Sequence, residues 1–304
     1  MVARPAHAEA FQTLRPALLA LAYRMLGDLA RAEDIIQDAW LRWQQSDVEA
    51  DSPKAYLSTI VTRLCLNELG SARARREATR SDRLPEPIDL ATGGIDRIEQ
   101  YERISMAFMV LLQRLTPVER AVFLLHEVFE QEHTQIAELV GRSVPACRKL
   151  LERAREGVAA GRKLITASRD EHQRLLRAFL EAASAGDVTQ LAALLADDAQ
   201  LITDGGPNGR FFEGLRNLTQ PLQGANNVAR FVIHRTAQSE GILEREEREL
   251  NGQPALVLLQ DGAPFAALLL GIADGKIHSV YFHADPTRLQ HLGDLDRGAS
   301  GRDE

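Results

Sequence analysis

The sequence is poor in the residue types that mark secreted and metal-binding proteins. It has two cysteines in 304 residues, Cys65 and Cys147, and they form no CxxC pair. Both lie at apolar positions of predicted helices, so we expect buried, reduced thiols, which are typical of cytoplasmic proteins. The five histidines beyond residue 168 are scattered without HxxxH spacing. No metal and no cofactor are therefore predicted.

Long apolar runs are also lacking. No stretch approaches the roughly 18 apolar residues that would suggest a membrane-spanning helix, and the N-terminal sequence lacks the pattern of a secretory signal. Aromatic residues make up only 5% of the chain, whereas hydrophobic residues as a whole reach an ordinary 45%. These features exclude a membrane partner and predict a cytoplasmic globular protein of two or three domains.

The net charge of −7 is unevenly distributed. Residues 1–167 carry 23 basic and 23 acidic side chains, so they are neutral on balance. Residues 168–304 carry 13 basic and 20 acidic side chains and therefore hold all of the net negative charge. Such an asymmetry suggests two modules with different partners.

Residues 133–156 have the pattern of a helix, a turn and a second helix. Gly141 can adopt the positive φ that a turn requires, Ser143 is a good N-cap, and Pro145 is tolerated in the first helical turn. One inward stripe of the second helix follows at helical spacing: Val144, Cys147, Leu151 and Ala154. The pattern predicts a helix-turn-helix.

The outward side of this second helix is basic. Residues 142–163 carry seven basic and two acidic side chains. A basic helix presented in this way fits the major groove of DNA. The alternative is a solvated amphipathic helix in an ordinary bundle, because helix-turn-helix pairs are common.

The chain before this motif is helical. Apolar periodicity predicts helices over 9–26, from Asp28 to about Gln44, and from Ser52-Pro53 onward. On the second helix Asp34 and Asp38 lie at i and i+4, and Leu41 extends the same face. Acidic groups beside an apolar one suit a basic partner helix, although by spacing alone they also suit solvated surface charges.

The chain beyond residue 168 has a different pattern. Two helices are predicted over 171–185 and 188–196. Strand-like runs follow at 199–203, 210–213, 228–236 (strand or helix), 242–250, 255–260, 265–272 and 276–283. Asn251-Gly252, Asp261-Gly262 and Asp274-Gly275 separate the last four runs, and each is a hairpin signal. This order predicts an α+β domain with a curved antiparallel sheet.

Residues 8–163 resemble the extracytoplasmic-function sigma factors of bacterial RNA polymerase. The sequences LGDLARAEDIIQDAWLRW (26–43) and SPKAYLSTIVTRLCLNELGSARARRE (52–77) resemble region 2, and residues 115–156, which begin LTPVERAVF, resemble region 4. The resemblance implies an all-α N-terminal half, a helical bundle plus a helix-turn-helix. It also implies a non-catalytic partner of core RNA polymerase, which binds its β′ clamp helices and β flap, and of promoter DNA.

The resemblance assigns a role to each basic or polar face. It implies polymerase binding by Asp34, Asp38, Trp40 and Leu41. It implies reading of the −10 element by Arg63 and Asn67, with Arg73, Arg75 and Arg76 on the DNA backbone. It implies reading of the −35 element by Arg142, Ser143, Arg148, Lys149 and Arg153.

Residues 168–291 resemble SnoaL-like (NTF2-like) cone-shaped α+β domains, which one sigma subgroup carries as a C-terminal fusion. Leu84, Pro85, Glu86 and Pro87 match the LPEP linker of that subgroup. Asp204, Gly205 and Gly206 match the start of its glycine-rich loop, although the following PNGR departs from it, and the segment from Asp285 loosely echoes a third motif. The resemblance implies that these residues form an interdomain regulatory site.

The predicted domains are therefore 1–80 (region 2), an 81–98 linker, 99–165 (region 4), 168–291 (SnoaL-like) and a disordered tail, 292–304. The C-terminal domain is interpreted as an intramolecular regulator of the sigma half. The alternative is a SnoaL-type enzyme or ligand sensor tethered to a DNA-binding module. A pocket for an unknown small ligand would then be lined by Asp204, His234, Tyr281 and His283.

Overall fold

The computed structural model describes residues 5–46, 52–71, 83–89, 105–159, 161, 164, 167–205, 218 and 220–297. The described residues divide into two units. Unit 1 contains 5–71 and 109–159, and unit 2 contains 83–89, 105–108 and 161–297. Both predicted DNA-binding regions therefore belong to one unit, whereas residues 83–89 of the predicted linker belong to the other.

Unit 1 is helical, as predicted. Its N-terminal helices are α1 (Pro5–Leu26), α2 (Leu29–Gln45) and α3 (Pro53–Leu69). The later helices are α4 (Met106–Arg114), whose first residues are grouped with unit 2, α5 (Pro117–Glu127), α6 (His133–Val140) and α7 (Val144–Ala159).

Side-chain caps explain where three of these helices begin. Asp28 accepts a hydrogen bond from the Arg31 backbone N–H at 3.1 Å, and Ser52 accepts one from Ala55 at 3.3 Å. Thr116 and Glu119 form a reciprocal capping box at the start of α5. The predicted starts at Asp28 and Ser52-Pro53 are thus confirmed, whereas α1 begins four residues before the predicted residue 9.

A buried arginine joins the two halves of unit 1. Arg120 on α5 donates to the Met25 carbonyl at the end of α1, to the Gln113 side-chain oxygen at 2.7 Å and to the Leu115 carbonyl at 3.2 Å. Burial lowers the pKa of Arg120 to about 10, which leaves the guanidinium charged at neutral pH. Neutral carbonyl oxygens thus solvate a charge that has been removed from water.

Unit 2 is an α+β domain built on one sheet. Helices α8 (Arg169–Ala185) and α9 (Val188–Leu194) come first, and α10 (Ala225–Ser239) lies between the second and third strands. The strands are β1 (Leu195–Asp204), β2 (Leu222–Gln223), β3 (Glu244–Leu250), β4 (Gln253–Gln260), β5 (Ala263–Ala273) and β6 (Lys276–His283). Their order in the sheet is β2-β1-β6-β5-β4-β3.

The sheet differs from the predicted one in two respects. Strands β3 to β6 form the predicted antiparallel meander, but β1 pairs with β6 in parallel, so the sheet is mixed. The run at 228–236, left open between strand and helix, is part of α10. The predicted run at 210–213 lies outside the described residues.

The three predicted hairpin turns are confirmed. Asn251, Asp261 and Asp274 have φ values of 52°, 53° and 50°, and the glycine after each also has a positive φ. Two consecutive positive φ values match the right-handed twist of the strands, which is why an Asn-Gly or Asp-Gly pair is favoured there.

Both faces of the sheet are covered. Helices α8, α9 and α10 pack on one face around Phe179, Leu176 and Val228. On the other face the chain continues through α11 (Pro286–Leu289) into a 3-10 helix (Gln290–Arg297) whose Leu292 is fully buried. The predicted disordered tail is therefore wrong for residues 292–297, because burial of Leu292 anchors this segment.

The two edges of the sheet are unlike its centre. Strand β2 is two residues long, and β3 carries six consecutive charged residues, EREERE, that are mostly exposed. Within the described residues, no helix has the length and apolar character that a membrane span requires.

Candidate nucleic-acid interface and buried linker site

The predicted helix-turn-helix is present. Gly141 ends α6 with a φ of 63°, in the left-handed region that a side chain disfavours. The Ser143 hydroxyl accepts a hydrogen bond from the Ala146 backbone N–H at 3.4 Å, at the start of α7. Cys147, Leu151 and Ala154 are buried, as the periodicity predicted.

The outward face of α7 is exposed along its length. The five residues predicted to read DNA are all exposed: Arg142, Ser143, Arg148, Lys149 and Arg153. No described carboxylate lies within ion-pair distance of Arg148 or Lys149. Their charges are therefore available to a phosphate or to a base edge in the major groove.

Two arginines further along α7 are held by ion pairs within unit 1. Arg153 lies 3.2 Å from Glu119, whose carboxylate also forms the capping box of α5. Arg155 donates from two nitrogens to one oxygen of Glu127, at 3.0 and 2.6 Å. Residue spacing could not predict these pairs, because the partners lie 34 and 28 positions away along the chain. They divide the basic face into a paired end and an unpaired end.

Helix α2 presents the predicted acidic and apolar stripe. Asp34 and Asp38 are exposed, and the Leu41 side chain is 47% exposed, an unusual value for a large apolar residue. Trp40 is half-buried and packs on Phe11, with ring centroids 4.9 Å apart. Three of the four predicted residues thus share one open face, and Trp40 supports it from the side.

Helix α3 exposes Arg63 and Asn67 on successive turns of one face. Its opposite side faces the loop before α6, where the Gln131 amide donates to the Ser58 hydroxyl at 2.7 Å. Arg73, Arg75 and Arg76 lie outside the described residues. The structure therefore places two of the five predicted −10 residues, and it leaves both accessible.

Residues 84–89 are buried in unit 2 and are called the strap below. Asp204 and Arg288 form an ion pair, with Oδ2 and Nη1 2.8 Å apart, and both side chains bind the strap at Leu84. Asp204 accepts from the Leu84 backbone N–H at 3.0 Å, and Arg288 donates to the Leu84 carbonyl at 2.6 Å. The pair thus saturates both backbone groups of one residue.

The strap is held further along in the same manner. Asn251 accepts from the Ile88 N–H at 3.0 Å through its side chain and donates to the Ile88 carbonyl at 2.8 Å through its backbone. One ring nitrogen of His291 lies 2.9 Å from the Pro87 carbonyl, and the other lies 3.1 Å from Glu86.

The other predicted regulatory residues have different positions. Pro85 is buried within the strap, and Gly205 is half-buried beside Asp204. Asp285 caps α11 by accepting from the backbone and hydroxyl of Thr287 at 3.0 and 2.8 Å. Gly206 lies outside the described residues. Arg288, Asn251 and His291, which make most of the strap contacts, were not among the predicted residues.

The structure brings Asp204 and His283 together as register partners on β1 and β6, with Tyr281 two residues from His283, but His234 lies apart from them. Asp204, Tyr281 and His283 are buried on strands β1 and β6, and Asp204 holds the strap. His234 is exposed on α10. Burial, followed by the nearby charge of Arg288, lowers the pKa of His283 well below its usual value. A cavity does exist between the sheet and helices α8 and α10, but none of the four is among its lining residues.

Comparisons with known proteins identify the family of this chain. The family models for Sigma-70 region 2 and Sigma-70 region 4 match residues 10–75 and 105–156. The chain is 34% identical to the ECF RNA polymerase sigma factor SigJ of Mycobacterium tuberculosis, over 92% of both chains. It is 30% identical to the probable ECF RNA polymerase sigma factor SigI of the same species, over 93% of this chain and 94% of that one.

The likeness extends to the three-dimensional structure. The crystal structure of Mycobacterium tuberculosis SigJ matches with a TM-score of 0.72 and 28% identity, over 93% of this chain and 98% of SigJ. The match includes both the helical half and the α+β domain, because either half alone is too short to reach that coverage. The chain therefore belongs to the extracytoplasmic-function sigma factors of RNA polymerase, in the subgroup with a C-terminal SnoaL-like domain.

Proposed function

We propose that unit 1 reads a promoter at two places while bound to core RNA polymerase. The observation that carries this proposal is the exposed charge of Arg148 and Lys149, which no carboxylate of the described residues pairs, on a helix whose other side is buried. DNA can bind such a cation without first breaking one of the described ion pairs. In this role α7 reads the −35 element in the duplex major groove, together with Arg142 and Ser143.

Arg63 and Asn67 are proposed to act at the −10 element as its strands separate. Separated strands expose base edges and phosphates, and both side chains can donate hydrogen bonds to either. Because they lie on consecutive turns of α3, the two side chains can contact neighbouring nucleotides. Arg73, Arg75 and Arg76 are proposed to bind the adjacent backbone, where charge matters more than shape.

The open face of α2 is proposed to bind polymerase. Exposed Leu41 supplies apolar area, and Asp34 and Asp38 supply charge for a basic partner helix, a combination that interfaces use for affinity and orientation. The β′ clamp helices are the proposed partner of this face, and the β flap is the proposed partner of the helix-turn-helix region. Polymerase performs the chemistry, in the cytoplasm, and no catalytic role is proposed for this chain.

Unit 2 is proposed to regulate unit 1 through the strap. Residues 84–89 lie in the chain between α3, the proposed −10 reader, and the helix-turn-helix. By holding this segment through hydrogen bonds at Leu84, Pro87 and Ile88, unit 2 limits the paths that the connection can take. The alternative of an enzyme tethered to a DNA-binding module is not favoured, because relatives that match over nearly the whole chain are sigma factors.

Run-off transcription with reconstituted holoenzyme tests the proposal. The full chain, core polymerase and a set of promoter fragments are combined, and the start sites are mapped. We expect a discrete start site that depends on both promoter elements. Substitution of Arg148 by Ala should lower transcription from the intact promoter, while a matched change at Arg177, an exposed arginine on α8, should not. Equal transcription by both variants would reject α7 as the −35 reader.

His291→Gln tests the regulatory role with a mild change. A glutamine amide can still donate to the Pro87 carbonyl, but it lacks the second ring nitrogen, which lies 3.1 Å from Glu86. We expect altered promoter activity with unchanged core polymerase binding. Promoter activity equal to that of the original chain would count against regulation through the strap.

A further inference from the structure

The cavity of unit 2 has apolar walls. It lies between the sheet and helices α8 and α10 and contains about 1000 Å³ that protein atoms do not fill, including its opening. Four phenylalanines contribute to its walls: Phe179, Phe231, Phe265 and Phe282. A cavity with this lining suits small molecules with mostly apolar surfaces.

One end of the cavity is polar. Arg245 and Ser184 line it, and Arg245 donates to the Ser184 hydroxyl at 2.6 Å. A second recess of about 630 Å³ shares Arg245, Ser184 and Thr236 with the first and continues toward Glu240 and Gly241. Arg245 and Ser184 therefore lie where an apolar chamber meets a more polar one.

The charge of Arg245 differs from that of its neighbours. Arg177 and Arg169 face Glu247 and Glu249 of β3, and Arg248 lies 2.6 Å from Glu246. No described carboxylate comes within ion-pair distance of Arg245. A cation held by a neutral hydroxyl retains most of its attraction for an anion.

A second cation lies on the α10 side of the cavity. The Arg235 guanidinium lies over the Phe231 ring, 5.0 Å from its centroid. Burial lowers the pKa of Arg235, which reflects partial loss of hydration.

We propose that this cavity binds a small amphiphile with an apolar body and a single carboxylate head, placed against Arg245. The body fills the chamber lined by the phenylalanines. The head lies at the junction of the two recesses, where it accepts hydrogen bonds from the Arg245 guanidinium. Glu240, at the far side of the second recess, disfavours heads with more than one negative charge.

The head group distinguishes this ligand from other apolar molecules. A neutral alcohol of the same length makes the same apolar contacts but lacks the charge-assisted hydrogen bonds. An alkylamine places a positive head beside the Arg245 guanidinium. Ligand binding by unit 2 does not depend on promoter recognition by unit 1. Only signalling from the bound ligand to the sigma half rests on the function proposed above.

Isothermal titration calorimetry on the full chain tests the head group, with decanoate, decanol and decylamine as probes below their aggregation concentrations. Decanoate should bind at least about tenfold more tightly than decanol, because a hydrogen bond to a charged group is stronger than one between neutral groups. Decylamine should bind least. Arg245→Gln should weaken decanoate binding roughly tenfold and leave decanol unchanged. Arg177→Gln is the matched control and should change neither.

Methyl NMR of the full chain locates the ligand without a substitution. Decanoate should shift the methyl signals of Leu258 and Leu268, which line the cavity, and should leave those of Leu57 in unit 1 unchanged. Ala183→Leu should reduce binding by filling the chamber while the thermal unfolding midpoint is retained.

Three results would overturn the proposal. They are equal affinity for decanol and decanoate, unchanged decanoate affinity in Arg245→Gln, and shifts confined to unit 1. These assays contain neither DNA nor polymerase, so their failure would leave the transcriptional role untouched. Conversely, failure of run-off transcription would leave the ligand measurement valid.

Discussion

The charged residues of unit 1 and unit 2 differ in their exposure to water. Arg148 and Lys149 on α7 are exposed, whereas Asp204 and Arg288 are each only 6% exposed. An exposed cation keeps its hydration and adds little to folding stability, but its charge is open to a partner. A buried pair has lost its hydration, so neither member can be removed alone without a penalty. Arginine is thus left open to a partner in unit 1, whereas in unit 2 it anchors a segment of the chain.

The largest effect is expected when the buried pair is broken. Asp204→Ala leaves the Arg288 guanidinium buried without its carboxylate and removes the acceptor of the Leu84 N–H. We expect unit 2 to lose about 3–5 kcal/mol of unfolding free energy. Urea unfolding followed by circular dichroism measures the loss.

Tryptophan fluorescence separates the two units in this experiment. Both tryptophans of the chain, Trp40 and Trp43, are in unit 1. The fluorescence transition reports on unit 1 and should move less than the circular dichroism transition. Asp198→Ala, at an exposed position on β1, is the matched control and should change stability by less than about 0.5 kcal/mol. If Asp204→Ala and Asp198→Ala lose equal unfolding free energy, buried and exposed carboxylates do not differ in their contribution to stability.

A smaller effect is expected on promoter affinity from the exposed cations. Arg148→Ala and Lys149→Ala should each weaken holoenzyme binding to a cognate promoter by about 1–3 kcal/mol if the side chain reads a base. A phosphate contact would instead reduce the salt dependence of binding by about one unit on a log–log plot. Affinity measured at several salt concentrations distinguishes the two roles.

Stability should stay constant in these two variants. Surface substitutions away from packing and caps change it by less than about 0.5 kcal/mol. If either variant unfolds as readily as Asp204→Ala, the separation between binding residues in unit 1 and anchoring residues in unit 2 is incorrect.

The third prediction concerns pH. The pKa of His283 is lowered in the folded protein, so below a pH of about 6.5 the unfolded chain takes up a proton that the folded protein does not. Unit 2 should therefore be most stable above that pH and lose up to about 1.4 kcal/mol per pH unit as the pH falls. The pKa of buried His172 is lowered too, which adds to the same trend.

His283→Asn should flatten this pH dependence. Urea unfolding at pH 5, 6 and 7 measures it, with His234→Asn at an exposed position of α10 as the control. In the control, the unfolding free energy should change with pH as it does in the original chain. The same change with pH in His283→Asn would show that another group titrates.

The smallest effect is expected at the paired end of α7. The Arg153–Glu119 ion pair is exposed on the arginine side, so it should contribute about 0.2–1 kcal/mol to the stability of unit 1. A double-mutant cycle of Arg153→Ala and Glu119→Gln measures this coupling. Arg153→Ala should also weaken promoter binding less than Arg148→Ala. A greater loss for Arg153 would mean that DNA displaces Glu119 and that the paired end is part of the reader.

Local signals in the sequence predicted the elements well. Caps at Asp28 and Ser52, the left-handed Gly141 and the three Asn-Gly or Asp-Gly turns each depend on a residue's own conformational preference. Such preferences can be read without knowing the fold. Helix α10 was ambiguous because a short apolar run suits a strand or a helix equally.

Contacts between distant residues could not be predicted in the same way. Asp204 meets Leu84 across 120 positions, and parallel pairing of β1 with β6 depends on the whole sheet. The predicted pocket failed because neighbouring strand residues point to opposite faces, and the sequence did not show which face holds the cavity. Thr203 lines the cavity, whereas Asp204, the next residue, holds the strap.

The edges of the sheet bear on how the protein behaves at high concentration. An open strand edge can recruit a strand from another molecule and begin aggregation. Strand β2 offers only two residues for such pairing, and the EREERE run of β3 would place like charges against any second copy of itself in parallel register. Replacement of these charged residues by threonine would preserve strand propensity but remove the repulsion between edge strands of two molecules. The expected result is loss of solubility.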